Sequence, residues 1–173
     1  MLIADTVTNP ANLWQYRDMS RKHLLIVFHS QSGSTTRMAD AVIAGANHPD
    51  ISAVDVRVKE ALDADSDDLL WADGFILGTP ENFGYMSGAM KTFLDRVYYD
   101  CENKVGGKPF ALFIRAGNDG TGAISSLRRI LTGLAVKEVQ EPVLIAGDFE
   151  ESRLVDCEEL GLTMAAGLEA GIF

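Results

Sequence analysis

Two rhythms of apolar and polar positions alternate along the chain. Short runs rich in branched or aromatic residues occupy positions 24–28, 54–58, 75–77, 110–114 and 143–146. Between and after them, apolar residues recur every three or four positions. Met38, Ala41, Val42 and Gly45 share one helical face, and Met86, Met90, Phe93, Leu94 and Val97 share another. Ile124, Leu127, Leu131 and Leu134 repeat the pattern, as do Leu154, Cys157, Leu160, Met164 and Leu168. These spacings predict helices. The runs are short and mostly lack internal alternation, as strands buried on both faces do. Strands alternating with helices predict an α/β fold with a doubly wound parallel sheet and helices on both faces. Only the link between the second and third strands is weak, with a short helical stretch around 67–72.

No break divides this alternation. Gly106-Gly107-Lys108-Pro109 is a turn and not a linker, and 173 residues suit one domain. The first ~20 residues stand outside the rhythm, so the expected division is an N-terminal extension at 1–22 and a domain at 23–173. Trp14 and Tyr16 in the extension need burial, either on the domain surface or at a subunit contact.

Composition narrows the partners. At 47% hydrophobic and 23% charged the chain is ordinary for a globular protein. Its net charge of −10 disfavours nucleic acid and anionic membrane surfaces. No apolar run approaches membrane-spanning length, and MLIADTVTNP carries no basic-then-apolar leader. Cys101 and Cys157 match no metal spacing and read as reduced thiols, in keeping with a cytoplasmic chain. The acidic stretch at 63–68 departs from a calcium loop, with Asp68 where glycine is required and Gly74 where glutamate is. It reads instead as negative charge at a helix start.

In doubly wound sheets, ligands sit beyond the carboxyl ends of the strands where strand order reverses. The first such loop, HSQSGSTTR, holds five hydroxyls and one glycine within positions 30–36 and no acid. Hydroxyls and free N–H groups at a helix start suit a phosphate, whereas simple capping by Ser34 or Thr35 needs only one of them. No lysine lies between Lys22 and Lys59 and Gly33 is the loop's only glycine, so neither GxxxxGK[ST] nor GxGxxG is present. A terminal monophosphate held by neutral donors fits best. Arg37 either adds charge from the helix or faces solvent. Ser32 is in no GxSxG elbow, and His29, with no carboxylate placed by sequence to orient it, reads as a packed strand-end residue.

The loop after the third strand offers the faces of Phe83 and Tyr85, the polar edges of Glu81 and Asn82, a turn at Gly84, and Ser87 as a helix cap. RAGNDGTGA after the fourth strand adds glycines and backbone N–H groups. Together they make room for a planar heterocycle whose phosphate sits in the first loop.

FHSQSGSTTRMADAV and GTPENFGYMSGAMKTFLDR resemble the two signature regions of flavodoxin-like FMN proteins. The second is especially similar to the pattern of Trp-repressor-binding-protein-type NAD(P)H:quinone oxidoreductases and NAD(P)H-dependent FMN reductases. GLEAGIF resembles the end of short members. The resemblance implies a five-stranded sheet in order 2-1-3-4-5 with non-covalent FMN at the reversal point, as in flavodoxin itself. It implies FMN phosphate binding by Ser30, Ser32, Gly33, Ser34, Thr35 and Thr36. Pro80, Glu81, Asn82, Phe83 and Gly84 are implied at the isoalloxazine, and Ala116, Gly117, Asn118 and Asp119 at its pyrimidine side. Phe83 and Tyr85 would wall the acceptor pocket. The chemistry would reside on FMN, with no catalytic side chain and no metal. Electrons would pass from NAD(P)H through FMN N5 to a small acceptor such as a quinone, in a homodimer or higher oligomer. The alternative is a flavodoxin-type carrier docking on protein partners, to which strong acidity is suited. Arg115, if turned to the ring edge, would raise the flavin potential, and Asp119 would lower it.

Overall fold

A computed structural model describes residues 21–173, and the expectation for Trp14 and Tyr16 lies outside them. Strand β1 (Lys22–Phe28) is followed by α1 (Ser34–Ala46), β2 (Val54–Glu60) and α2 (Ser66–Trp71). Next come β3 (Gly74–Asn82), β4 (Tyr85–Met86) and α3 (Gly88–Cys101). The chain continues through β5 (Pro109–Ala116), α4 (Thr121–Gly133), β6 (Lys137–Glu138) and β7 (Val143–Ala146), a 3₁₀ turn at Glu151–Arg153 and α5 (Leu154–Ala170).

The parallel sheet runs β2-β1-β3-β5, and β6 and β7 both pair with β5. β6 meets Pro109 and Phe110, while β7 meets residues from Phe113 to Ala116. They are two pieces of one outer strand, so the order is the expected 2-1-3-4-5 with the last strand interrupted. Pro142, which has no N–H for the ladder, stands in the interruption.

The central strands β1, β3 and β5 feed two cores. Leu25, Val27, Phe75, Leu77, Leu112 and Ile114 face one side and pack with residues of α2, α3 and α4. Leu24, Ile26, Ile76, Ala111 and Phe113 face the other, with α1 and α5. This is why the strand sequences lack alternation: successive side chains point to opposite faces, and both faces are dry. Gly78 lets the Phe113 ring lie across β3, because a Cβ there would sit 1.9 Å from the ring.

The short helix α2 confirms the reading of the acidic stretch. The Asp65 carboxylate accepts from the Asp68 N–H, and the Asp68 carboxylate accepts from the Asp65 N–H. Asp68 also pairs with Arg57 at 2.8 Å. Cys101 and Cys157 are buried free thiols, and burial pushes Cys157 up to about 12. No helix of the described residues is long and apolar enough to cross a membrane.

The expectation for Met86 is corrected. It is buried in the two-residue strand β4, ahead of α3 and not on its face. A two-residue strand leaves no periodic signal, and the i, i+4 match to Met90 extended the helical pattern one turn too far.

Candidate functional site

The chain leaves β1 toward β2 on one side and crosses back to β3 on the other, so strand order reverses between β1 and β3. The loops after β1, β3 and β5 therefore emerge at one edge of the sheet.

Helix α1 begins without a side-chain cap. Its N-cap is Gly33 at φ 92°, no acid stands in its first turn, and the first helical bond is Arg37 N–H to Gly33 O at 3.1 Å. The N–H groups of Ser34, Thr35 and Thr36 thus have no intrahelical acceptor. Capping by Ser34 or Thr35 does not occur. The Ser30 hydroxyl oxygen accepts from Gly33 N–H at 3.1 Å, which shapes the loop. Among the described residues the hydroxyls of Ser32, Ser34, Thr35 and Thr36 have no hydrogen-bond partner. A helix start in this state presents a positive dipole end and unpaired neutral donors, an arrangement suited to an anion.

The stretch after β3 is a hairpin and not a loose loop. β3 runs to Asn82 and turns back through Phe83 and Gly84 into β4, pairing Asn82 with Tyr85. Phe83 at φ 53° and Gly84 at φ 70° are the paired left-handed residues of a type I′ turn. Such a turn favours Asn-Gly, and a bulky aromatic there is strained. Phe83 is also fully exposed at 108%. A strained, solvent-facing phenyl ring at a hairpin tip serves contact with something flat and apolar better than it serves folding.

Three ties hold these parts together. Asn82 Nδ2 donates to Gln31 Oε1 at 3.0 Å, joining the hairpin to the first loop. Glu81 Oε2 accepts from the Ala123 N–H at 3.0 Å, joining it to the start of α4. Gly122 backs directly on the turn, because a Cβ there would lie 1.9 Å from Gly84 O. Beneath, the buried Thr79 hydroxyl accepts from Ser87 N–H at 3.0 Å, and Ser87 caps α3 as expected by accepting from Met90 N–H at 3.3 Å.

After β5, Gly117, Asn118 and Asp119 are exposed, while Ala116 is buried. The N–H groups of Gly117 and Asn118 donate to no backbone carbonyl among the described residues. Asp119 accepts from Thr121 N–H at 3.0 Å and from its hydroxyl at 2.7 Å, and the backbone bond holds its carboxyl below the usual range.

The expected charge roles change. Arg115 is turned across to the carbonyls of Ile145 at 3.1 Å and Gly147 at 2.6 Å, where it ties the ends of β5 and β7. Arg37 is paired with Glu151 and lies over Phe149 at 4.8 Å. Neither guanidinium is aimed freely into the loops. His29 does have a carboxylate near it, Glu60 at 3.6 Å, supplied by the neighbouring strand β2. Gln31 and Gly122 were not singled out in the sequence. A glycine just inside a helix start was the available signal for Gly122.

Residues 23–151 match the model of a family described as NADPH-dependent FMN reductase. The chain belongs to that family. Among curated relatives, a flavodoxin from Aquifex aeolicus (strain VF5) is 35% identical over 111 residues, covering 64% of this chain and 59% of the relative. An NAD(P)H dehydrogenase (quinone) from Acidithiobacillus ferrooxidans (strain ATCC 53993 / BNL-5-31) is 33% identical over 135 residues, covering 67% of this chain and 66% of the relative. The chain thus spans less than two thirds of the length of either. A solved flavodoxin, WrbA-like protein from Agrobacterium tumefaciens superposes with a TM-score of 0.68 at 22% identity, over 86% of this chain and 98% of that one. That likeness establishes the flavodoxin-like fold. The uncapped helix start and the aromatic hairpin stand at the same sheet edge in this chain.

Proposed function

We propose that residues 23–173 form a domain that binds FMN non-covalently and catalyses electron transfer from NAD(P)H to a small acceptor such as a quinone. The observation that carries this reading is the uncapped start of α1, with free hydroxyls on Ser32, Ser34, Thr35 and Thr36 and no acid in its first turn. A phosphate monoester supplies the acceptor oxygens that this helix start lacks.

FMN, if bound, would supply two-electron redox chemistry between the nicotinamide donor and the acceptor. The chain's part is to bind and orient. Ser30 and Gly33 set the loop shape while Ser32, Ser34, Thr35 and Thr36 donate to the phosphate. Pro80, Glu81, Asn82, Phe83 and Gly84 stand at the ring, with the Glu81 carboxylate holding the hairpin on α4. The loop from Ala116 to Asp119 offers its free N–H groups to the pyrimidine edge, where donors favour negative charge on the reduced ring. Phe83 and Tyr85 wall the acceptor site. No side-chain acid or base is required, because a quinone acceptor takes its protons from water.

The remaining assignments are part of the same proposal. The residues that precede β1 are an extension to the domain, the chain is cytoplasmic, and the assembly is a homodimer. The exposed ring of Phe83 favours an assembly in which a second surface covers the flavin.

The strong negative charge, −10 over the chain, favours a second reading as an electron carrier steered to basic protein partners. One experiment separates the two. Flavin-loaded protein is mixed anaerobically with NADPH or NADH while the yellow absorbance is followed, and benzoquinone is then added. Direct bleaching followed by reoxidation is expected. Failure of both nicotinamides to bleach the flavin would leave the carrier, and failure to take up FMN would remove both readings.

Phe83→Asn is expected to separate folding from binding. Asn-Gly suits the type I′ turn, so relief of the left-handed strain should stabilise the apo domain by about 1 kcal/mol. Loss of the aromatic face should weaken FMN by about tenfold. Urea denaturation and flavin titration measure the two, and tighter flavin binding in the variant would remove Phe83 from the ring site.

A further inference from the structure

The first turns of α4 and the hairpin border a second recess, which shares only Gly84 and Tyr85 with the proposed ring and acceptor sites. It is a cleft of about 300 Å³ lined by Gly84, Tyr85, Gly122, Ser125, Ser126 and Arg129. Gly122, Ser125, Ser126 and Arg129 recur at three- and four-residue spacing on one face of α4 and look onto the β4 side of the hairpin.

Its chemistry is distinct from the rest of the surface. The chain has a net charge of −10, and among the described residues every arginine except Arg129 has a partner. Arg129 has no ion pair or hydrogen bond among those residues, and no carboxylate among them lines the cleft. The neighbouring Arg128, one position away, is held by Glu138 at 2.7 Å and so points elsewhere. The hydroxyls of Ser125 and Tyr85 are likewise without partners among the described residues, while Ser126 is engaged with the Met86 N–H and the Ala123 carbonyl. A lone guanidinium left unpaired among so many acids, beside free hydroxyls in a concave site, fits a dianion.

We infer that this cleft holds the 2′-phosphate of NADPH, with Arg129 as the group that discriminates NADPH from NADH and Ser125 and Tyr85 as supporting donors. The inference rests on the proposed oxidoreductase reading, since that reading brings a nicotinamide donor to the hairpin. Gly84 and Tyr85 border the cleft, and Phe83 next to them stands at the proposed ring site. The cleft thus lies beside the hairpin that a nicotinamide donor to the ring would approach. The free cation selects the doubly charged 2′-phosphate over the neutral 2′-hydroxyl of NADH.

The test is calorimetric titration of the flavin-loaded chain, in phosphate-free buffer, with adenosine 2′,5′-bisphosphate, with AMP and with inorganic phosphate. The wild type is expected to bind the bisphosphate at least about tenfold tighter than AMP, as charge-assisted hydrogen bonds to a phosphate imply. R129A should erase that ratio while leaving AMP and FMN affinities unchanged, and R129K should retain part of it. In steady-state assays R129A should raise KM for NADPH by about tenfold or more and leave KM for NADH alone. A wild type with no preference for the bisphosphate, or an R129A that keeps it, overturns the assignment. Inorganic phosphate binding as tightly as the bisphosphate also overturns it, by showing a general anion hole. Absence of bound flavin would defeat the proposed oxidoreductase reading separately, and the same titration run on that chain would still decide the cleft.

Discussion

Replacing Ser34 with Asp is expected to strip the chain of flavin while making the empty domain more stable. Helix α1 starts with Gly33 as N-cap, no side-chain cap and no acid in its first turn. For the unliganded protein this is a defect, because the dipole end and its N–H groups are left to water. A carboxylate at the first helical position should remove part of that defect and stabilise the apo state by about 0.3–1 kcal/mol. The same carboxylate would stand where a phosphate dianion is proposed to sit. Two like charges about 4 Å apart repel by about 1 kcal/mol in water and about 4 kcal/mol at the effective dielectric of a protein surface. With two negative charges on the phosphate, FMN affinity should fall by at least about a hundredfold. Flavin titration and urea denaturation of the apo protein read the two effects. Unchanged affinity would move the phosphate away from α1, and a less stable apo variant would mean that the helix start has a partner of its own.

The second large effect is expected at Gly161, far from any ligand. Helices α1 and α5 pack backbone against backbone. A Cβ on Gly161 would lie 2.0 Å from the Val42 carbonyl oxygen, and one on Gly45 would lie 1.8 Å from that of Glu158. Side chains yield to such contacts by changing rotamer, but a helical carbonyl moves only with its helix. Gly161→Ala therefore sets a local gain against a tertiary loss. Alanine favours the helix by about 1 kcal/mol, while forcing apart a dry interface costs about 1–3 kcal/mol and more where backbone is displaced. A net destabilisation of about 2 kcal/mol is expected by denaturation. FMN affinity should drop in parallel, since α1 carries the phosphate site and would shift with the interface. A stabilised variant would show that the helices separate freely.

Much of the architecture was open to reading from residues alone. The apolar runs at 24–28, 75–77 and 110–114 lie within β1, β3 and β5, and all of their side chains except Phe28 are buried. The helical stripes on α1, α4 and α5 lie in the cores as the spacing predicts. The hairpin was not legible. β4 is two residues long, and its existence depends on the left-handed backbone at Phe83, which the residue type argues against. The partners of Arg37, Arg115 and His29 were hidden as well. Glu151, the Gly147 carbonyl and Glu60 are distant in sequence and are brought close by the order of the strands.

The sequence by itself determined the alternation of strands and helices, the sheet buried on both faces, and the run of neutral donors that opens α1. Those properties are local: a period of about 3.6, an unbroken apolar run or a cluster of hydroxyls is complete within a short stretch of neighbouring residues. Tertiary structure alone decided which donors remain free. Whether a hydroxyl, carboxylate or guanidinium is available depends on what the fold sets opposite it. The fold occupied Arg37, Arg115 and Glu81 with protein partners and left Ser32, Ser34, Thr36 and Arg129 without them among the described residues.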